Sequence, residues 1–465
     1  MHNKLFVVLY GLIALVCCCI AFSSGFTESS LVVLGYCSTI ILFSFLFCDY
    51  KINNRFTYSA LFVIILYLFH FGQLMLLTFF SDSYEHVRFL LLLNTSKALY
   101  GFRTMLASLT ALCFGILLIS SGSRKWRSAK RQYNVNWVKL SKRIIYATFF
   151  VKLGLDIATL YISLTAGGET ARIFVNTFPN ILLFYGKISL LGFAILLVSL
   201  KHQPQKQRTL FFFIIGYILI MMVSGIRSEN VGYLAVFLFI YLQSRLQPMK
   251  VKQLLMYVVL GFFGLTFIVA VGQFRDYTNK SFDSFTELTN ELLTKKNVIL
   301  GLFDTCGDTG YTAQETLNEY LPKYGPSYGD AYYKGVTAII PNLMPSIIDV
   351  GKITESSSTP IRLQKTNVLN SGYENIGGSF FAELYMNFGD VGGIIMCFVW
   401  GLFFGYIGKK SAIAFETNNI YQLLILFPIM FATVYWVRSY FGGGIREVVW
   451  DILFGLFILK KTAKK

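Results

Sequence analysis

The sequence predicts an all-α polytopic membrane protein with about twelve transmembrane helices and one large loop that carries short helices. Of its 465 residues, 55% are hydrophobic and 14% are charged, whereas soluble domains carry about 25% charged residues. Apolar runs of about 17–25 residues, long enough to cross ~30 Å of hydrocarbon, recur along the whole chain. The chain has 45 phenylalanines and nine prolines, and it lacks the alternating pattern of a membrane β-barrel. A soluble multidomain protein is therefore excluded.

The apolar runs define the helices in order along the chain. The first run lacks a small-x-small cleavage site and is followed at once by a second run, so it is predicted to be a helix and not a signal peptide. The predicted helices are Leu5–Phe22, Leu31–Cys48, Ala60–Phe80, Thr104–Ser120, Ile144–Leu164, Ile181–Leu200, Thr209–Ser224, Val231–Ser244, Leu254–Gly272, Gly389–Ile407, Ile420–Val437 and Val448–Leu459. They divide the chain into residues 1–272 with helices one to nine, a large loop over 273–388, and residues 389–465 with helices ten to twelve and a basic tail.

The basic residues of the short loops predict the orientation in the membrane, because such loops stay on the cytoplasmic side. Most of these residues, above all those of the 121–143 loop, fall on the same side as the N-terminus and the Lys460–Lys465 tail. Both termini are therefore predicted to be cytoplasmic and the large loop to lie outside. This pattern also accounts for much of the formal net charge of +17, so nucleic-acid binding is not needed to explain it.

A charged segment at residues 224–230 interrupts two apolar runs and holds Arg227 and Glu229. Charged side chains in this setting are costly unless a partner or an aqueous cavity receives them. The predicted topology places the segment at the outer end of a tight helix hairpin. It therefore predicts a polar or anionic ligand at the outer face.

Five arginines lie at or just beyond helix ends on the predicted outer face. They are Arg172, Arg227, Arg275, Arg438 and Arg446. Guanidinium groups are always charged and fork onto phosphate oxygens, so arginines that converge from separate helices can clamp a pyrophosphate. The alternative is that each arginine extends to the phosphates of lipid headgroups. Three of the five stand beside an acid, namely Glu229, Asp276 or Glu447, and this favours a shared site.

The segment 377–389 leads from the large loop into the tenth predicted helix. Glu383 and Asn387 are four residues apart and share a helical face, while Ser379 could cap the helix. This group could orient a substrate hydroxyl or supply a general base; the alternative is a capped helix start. Lys152 and Asp156 are also four residues apart, and a structural ion pair is favoured over an ion path there.

Motifs for metal, nucleotide or serine-hydrolase chemistry are not found in a usable context. The four histidines are scattered, none lies in the large loop, and there is no CxxC pair. The sequence therefore predicts no metal site and no cofactor.

Four segments follow one another in a distinctive order. They are Ser-Gly-x-Arg-x-Glu-Asn at 224–230, Ile-Pro-Asn-x-x-Pro at 340–345, Gly-Gly-Ser-x-x-Ala-Glu-x-Tyr-x-Asn-Phe-Gly at 377–389, and Arg438 followed by Arg446-Glu447. In this arrangement and in its topology the chain resembles the Wzy-type O-antigen polysaccharide polymerase family. The individual motifs are loose, so the resemblance rests on their order over nearly the whole chain.

The resemblance implies a glycosyltransferase of the bacterial inner membrane whose large loop and active face are periplasmic. Such an enzyme moves the growing glycan from undecaprenyl pyrophosphate onto the non-reducing end of an incoming lipid-linked repeat unit. The implied partners are the undecaprenyl-pyrophosphate-linked oligosaccharide, membrane lipid and a polysaccharide chain-length regulator.

The resemblance also suggests roles for the residues selected above. Diphosphate is expected on Arg227, Arg275, Arg438 and Arg446; only Arg227, Arg438 and Arg446 are on motif-matching positions, and the other residues are selected by their placement. Arg172 is expected to help bind lipid or glycan, with Asn387 and Ser379 also in contact with substrate. The general base is expected to be Glu383, Glu229 or Asp276.

Three alternatives stay open: an O-antigen ligase, a flippase and a plain membrane scaffold, which would not need arginines gathered on one face. An O-antigen ligase has a similar helical build, but that family places a histidine in the large outer loop, and this chain has none there. A flippase for polyprenyl-linked sugars is a transporter, for which internal repeats and no dominant outer loop are expected. No internal repeat is evident in this sequence.

Overall fold

The computed structural model describes residues 2–80, 94–122, 136–166, 180–222, 227–245, 298–337, 358–366 and 377–463, together with a few isolated positions. Within these residues the chain forms helices and no β-strand. The helices are α1 His2–Ser23, α2 Glu28–Asn53, α3 Tyr58–Phe79, α4 Thr95–Ser121, α5 Trp137–Ala166, α6 Asn180–Ser199, α7 Pro204–Met222, α8 Arg227–Ser244, α9 Val298–Gly307, α10 Thr309–Glu315, a π-helix Thr316–Tyr320, α11 Leu321–Tyr324, α12 Asp330–Thr337, α13 Thr359–Lys365, α14 Phe380–Glu416, α15 Ile420–Trp436 and α16 Phe441–Ala463. The all-α class is confirmed.

Several helices are suited to a membrane by length and composition. In the described part of the chain, six are long and apolar enough to cross one: Asn3–Ser23 and the helices α2, α3, α4, α5 and α14. Every predicted transmembrane helix overlaps a helix of the structure, except the ninth, Leu254–Gly272, which lies outside the described residues. The total of twelve spans and their orientation stay predictions.

The chain forms two compact units that alternate along the sequence. The first unit comprises Met1–Lys130, Cys306–Glu416 and Ala432–Arg446, and the second comprises Arg131–Thr305, Thr417–Phe431 and Glu447–Lys465. Neighbours in sequence can therefore belong to different units, as Arg446 and Glu447 do. The division into residues 1–272, 273–388 and 389–465 stays a prediction about topology.

In the first unit, α4 packs along α14 at a distance that only small residues permit. Gly401 and Gly405 are spaced by four on α14, the pattern that lets membrane helices approach closely. A Cβ atom added at Gly405 would lie 2.7 Å from the carbonyl oxygen and 3.0 Å from the Cα of Ile116 on α4. The backbones of the two helices are thus in direct contact at this level.

The described part of the large loop forms short helices, as predicted, and from Cys306 onward they belong to the first unit. Every residue of α10 is buried. A Cβ atom at Gly307, the last residue of α9, would lie 2.5 Å from the backbone nitrogen of Gln73 on α3. Further along, Tyr320, Leu363 and Met386 form a small buried cluster. The location of these helices relative to the membrane surface stays a prediction.

The helix α14 begins in the loop and bends at Gly389. The sequence predicts a start at Gly389, but the helix starts at Phe380 and Gly389 has φ 77° and ψ −178°. Residues with a side chain rarely adopt this conformation, so glycine permits the bend. The arm before the bend carries Glu383 and Asn387.

In the second unit, α5 packs closely along α6 at Gly186. A Cβ atom there would lie 3.2 Å from both the Cα and the Cβ of Lys152. The hydroxyl of Tyr185 donates to the carbonyl of Ala147 at 2.9 Å. The close approach at Gly186 places Lys152 of α5 level with Gly186, the residue before Lys187 on α6.

Candidate functional site

The residues selected from the sequence fall into three groups in the structure. Arg172, Arg275 and Asp276 lie outside the described residues. Arg227 is the first residue of α8, and its side chain is likewise outside the described part. Glu229 belongs to the second unit, whereas the first unit contains Ser379, Glu383, Asn387, Arg438 and Arg446. The described candidate residues are therefore divided between the two units.

Ser379 caps the arm of α14. Its hydroxyl oxygen accepts a hydrogen bond from the backbone nitrogen of Ala382 at 3.2 Å, as expected for a cap. It also lies 2.8 Å from Nε2 of His70, whose Nδ1 lies 2.9 Å from the carbonyl oxygen of Leu66. Because a carbonyl only accepts, Nδ1 donates to it, and Nε2 accepts the proton of the serine hydroxyl. Ser379 is fully buried, and these contacts match the alternative of a capped helix start.

Glu383 anchors a turn of the first unit with both of its carboxylate oxygens. The side chain is buried and accepts hydrogen bonds from the indole nitrogen of Trp436 and from the backbone nitrogen of Phe441 at 3.0 Å. Phe441 is the first residue of α16, where a carboxylate is favoured by the exposed backbone donors. Glu383 thus ties the end of α15 to the start of α16.

Asn387 links the arm of α14 to α12. Its Nδ2 donates to the carbonyl of Glu383 at 2.7 Å, and its Oδ1 accepts from the backbone nitrogen of Ala331 at 3.1 Å and from the hydroxyl of Ser327 at 3.2 Å. The residue is buried. Glu383 and Asn387 share a helical face as predicted, and the role of Asn387 in substrate binding stays a prediction.

Arg438 lies in the turn that Glu383 anchors. Its Cζ lies 5.8 Å from the ring centroid of Phe69, in cation–π contact. Its Nε would lie 3.2 Å from a Cβ atom added at Gly377, so the side chain packs against this glycine. The arginine is half-buried, and it forms no salt bridge and no side-chain hydrogen bond with any residue that the structure describes. Arg446 is half-buried on α16.

Two basic residues of the large loop that share one acid were not predicted from the sequence. Asp330 of α12 accepts hydrogen bonds from Arg362 of α13 and from Lys334 at 2.8 Å. Burial raises the pKa of Asp330, but the bonds from Lys334 and Arg362 outweigh it and hold that pKa below its ordinary value. Arg362 stands in no recognisable motif, so only its folded position reveals it.

Aromatic rings surround Glu383. The rings of Trp400 and Trp436 meet edge to face with centroids 4.7 Å apart. The ring centroids of Tyr332 and Phe441 are 4.9 Å apart. The rings exclude water from the carboxylate and strengthen its interaction with its donors.

In the second unit, a lysine joins two acids that the sequence had assigned to neighbouring arginines. The Nζ of Lys187 lies 2.6 Å from Oε1 of Glu229 and 2.6 Å from Oε1 of Glu447. The hydroxyl of Tyr233 also donates to Glu229. Three helices, α6, α8 and α16, therefore meet through one ammonium group. The sequence signal was a lone lysine inside the apolar run 181–200, where a charge needs a partner.

A second ion pair of this unit matches the structural alternative. Lys152 and Asp156 are 2.9 Å apart, and the hydroxyl of Tyr217 donates to Asp156. These contacts join α5 to α7.

The comparisons with known proteins identify the family. The family model for O-antigen polysaccharide polymerase Wzy matches residues 6–463, which is nearly the whole chain. The chain belongs to the Wzy O-antigen polysaccharide polymerase family. No curated protein and no solved structure gives a significant match. Family membership and the long apolar helices together describe a multi-pass membrane protein of the polymerase type.

The cations of the described residues differ in whether they have an acidic partner. Arg362 and Lys334 share Asp330, and Lys187 is held by two carboxylates. Arg438 instead presents a guanidinium group without an acidic partner among the described residues, next to a turn that a buried carboxylate holds in place.

Proposed function

We propose that the chain polymerises O-antigen repeat units at the periplasmic face of the bacterial inner membrane. It would transfer the growing glycan from undecaprenyl pyrophosphate to the non-reducing end of an incoming lipid-linked unit. The observation that carries this proposal beyond the family is the half-buried Arg438, which has no carboxylate partner among the described residues. A half-buried charge is costly when it is unpaired, and a phosphate group of the substrate would supply the partner.

The reaction needs positive charge at the leaving group. The acceptor hydroxyl oxygen forms a bond to the anomeric carbon of the growing glycan, while the bond from that carbon to the pyrophosphate oxygen breaks. Negative charge accumulates on the departing undecaprenyl pyrophosphate, and preplaced guanidinium groups stabilise it. We assign this role to Arg227, Arg275, Arg438 and Arg446. Arg172 is assigned to lipid or glycan binding.

The proton of the acceptor hydroxyl must pass to a base. Glu383 and Glu229 both have bonding partners in the structure, namely Trp436 and Phe441 for the first and Lys187 with Tyr233 for the second. These bonds give each carboxylate a structural role. We therefore propose that Glu383 positions the turn of Arg438, together with its neighbours Ser379 and Asn387. Asp276 is then the third candidate for the base.

The proposed location follows from the distribution of basic residues. Lysines and arginines concentrate in the loops on the N-terminal side and in the C-terminal tail, which favours cytoplasmic termini. The large loop would then face the periplasm, where the lipid-linked unit and a chain-length regulator would be its partners.

Reconstitution tests the proposal directly. The purified protein in nanodiscs is mixed with undecaprenyl-pyrophosphate-linked repeat units, and the glycans are separated by gel electrophoresis. A ladder of longer glycans is the expected result. Transfer to added lipid A core would instead identify a ligase, and unchanged glycan would identify a flippase or a scaffold.

A further inference from the structure

We infer that His70 is a positioning residue for Arg438. The inference rests on the proposed function, in which Arg438 binds phosphate oxygens of the lipid-linked substrate. His70 lies on α3 and is 1% exposed, and it belongs with Arg438 to the first unit. None of the four sequence segments singled out above includes this histidine, so only the fold connects it to the arginine.

His70 ties the start of α14 to α3 through a directed hydrogen bond. Its Nδ1 donates to the carbonyl of Leu66 at 2.9 Å, so its Nε2 accepts the hydroxyl hydrogen of Ser379 at 2.8 Å. The serine oxygen in turn accepts from the backbone nitrogen of Ala382. The ring of His70 also meets the ring of Phe381 edge to face, with centroids 4.7 Å apart. The histidine thereby holds the cap of α14 against α3.

The backbone on both sides of this serine contacts the turn that carries Arg438. A Cβ atom added at Gly378 would overlap the carbonyl oxygen of Ser439. The backbone nitrogen of Phe380 donates to the carbonyl of Val437 at 3.3 Å. The residues before and after the serine are therefore packed on the residues before and after the arginine.

The side chain of Arg438 itself contacts both α3 and the segment 377–379. Its Cζ lies 5.8 Å from the ring centroid of Phe69, the residue before His70. Its Nε would lie 3.2 Å from a Cβ atom added at Gly377. The hydrogen bond of His70 joins these two surfaces, since it links α3 to the segment that ends at Ser379. Loss of this bond would let the segment shift relative to α3, and the packed arginine with it.

Other bonds hold the arm of α14 independently of the histidine. The hydroxyl of Thr312 donates to the carbonyl of Gly377 at 2.9 Å. Further along the arm, Glu383 accepts from the backbone nitrogen of Phe441 at 3.0 Å. Loss of the His70 side chain is therefore expected to displace the arginine while the first unit stays folded.

The test compares His70→Phe with Tyr385→Phe in the full-length protein in nanodiscs. Each change removes the partner of one buried serine hydroxyl in the first unit, since the hydroxyl groups of Tyr385 and Ser108 are 2.7 Å apart. The readouts are the dissociation constant of undecaprenyl pyrophosphate, kcat with lipid-linked repeat units, and thermal stability. We expect His70→Phe to weaken undecaprenyl pyrophosphate binding about tenfold and Tyr385→Phe to weaken it less than about threefold. His70→Gln, whose amide oxygen can accept the serine hydrogen, should recover most of the loss.

A double-mutant cycle with Arg438→Ala separates positioning from general destabilisation. If His70 acts through Arg438, its loss weakens binding no further once the arginine is gone. In the Arg438→Ala background, His70→Phe should therefore change the dissociation constant by less than about twofold. Ser379→Ala, which removes the hydroxyl that donates to His70, carries the same cycle if His70→Phe does not give monodisperse protein.

The remaining outcomes overturn either the inference or the proposed function. Additive effects in the cycle, or equal effects of His70→Phe and Tyr385→Phe on the dissociation constant, would refute the inference. A loss of thermal stability with an unchanged dissociation constant would show a purely structural role and would refute it as well. A wild-type protein that forms no glycan ladder would refute the proposed function, and this result is read separately from the binding cycle.

Discussion

Trp436 donates its indole hydrogen to the carboxylate of Glu383, and the two side chains are 3% and 1% exposed. The same carboxylate accepts the backbone hydrogen of Phe441. The turn between these two donors contains Arg438, whose guanidinium group has no acidic partner among the described residues. A buried acid thereby anchors the turn that carries Arg438.

Substitutions at Glu383 are expected to distinguish positioning from base catalysis. Glu383→Gln keeps an oxygen that can accept one of the two hydrogen bonds, whereas Glu383→Ala leaves two buried donors unpaired, at about 1–3 kcal/mol each. We expect Gln to retain polymerisation within about tenfold of wild type and Ala to lose stability and activity together. Initial rates of glycan elongation and thermal unfolding in detergent provide the measurements. Equal losses of about 10²–10⁴-fold in both variants, with stable protein, would instead identify Glu383 as the base.

Removal of the Arg438 side chain is expected to slow polymerisation without unfolding the protein. Arg438→Ala deletes a charge that stabilises the leaving group, and such losses cost about 10²–10³-fold in kcat. Arg438→Lys keeps the charge but not the forked geometry, so part of the activity should return. The control is Arg55→Ala, which removes an arginine that pairs with Glu416. Full activity of Arg438→Ala would contradict the clamp.

Helix packing in the first unit is expected to depend on Gly405. Gly405→Ala places a methyl group against the backbone of Ile116, and overpacking of this kind costs about 1–3 kcal/mol. Gly154→Ala on α5 is the matched control, since no atom lies within 4 Å of the added carbon and alanine gains about 0.5–1 kcal/mol in a helix. Thermal unfolding in detergent should therefore shift in opposite directions for the two variants. A shift in the same direction would show that α4 and α14 are not in close contact.

The Asp330 ion pairs predict a pH dependence of stability. The pKa of Asp330 is lower in the folded protein than the ordinary value of about 3.9. Its contribution to stability is therefore complete above about pH 4 and is lost as the pH falls through the folded-state pKa. Because about a third of the Asp330 side chain is exposed, Asp330→Asn should cost at most about 1 kcal/mol near neutral pH. The difference in thermal stability from wild type should shrink toward pH 3, and a constant difference would refute the assignment.

The contacts of individual residues show which parts of the site the sequence could predict. The cap by Ser379 was predictable because it depends on an amide three residues away in the chain. The shared face of Glu383 and Asn387 followed from helical spacing. The bonds between Glu383 and Trp436 and between Ser379 and His70 join distant segments, and no local pattern predicts them.

By itself the sequence determined the membrane class, the helix positions and the family resemblance that the family match confirmed. These properties depend on apolar runs and motif order, which are local or linear features of the sequence. Only the tertiary structure decided which charges meet. Glu229 and Glu447 each stand near an arginine in sequence, yet both bind Lys187, because helix packing sets the distance between side chains. For the same reason Arg438 could be selected from its sequence position, while its lack of an acidic partner among the described residues became visible only in the fold.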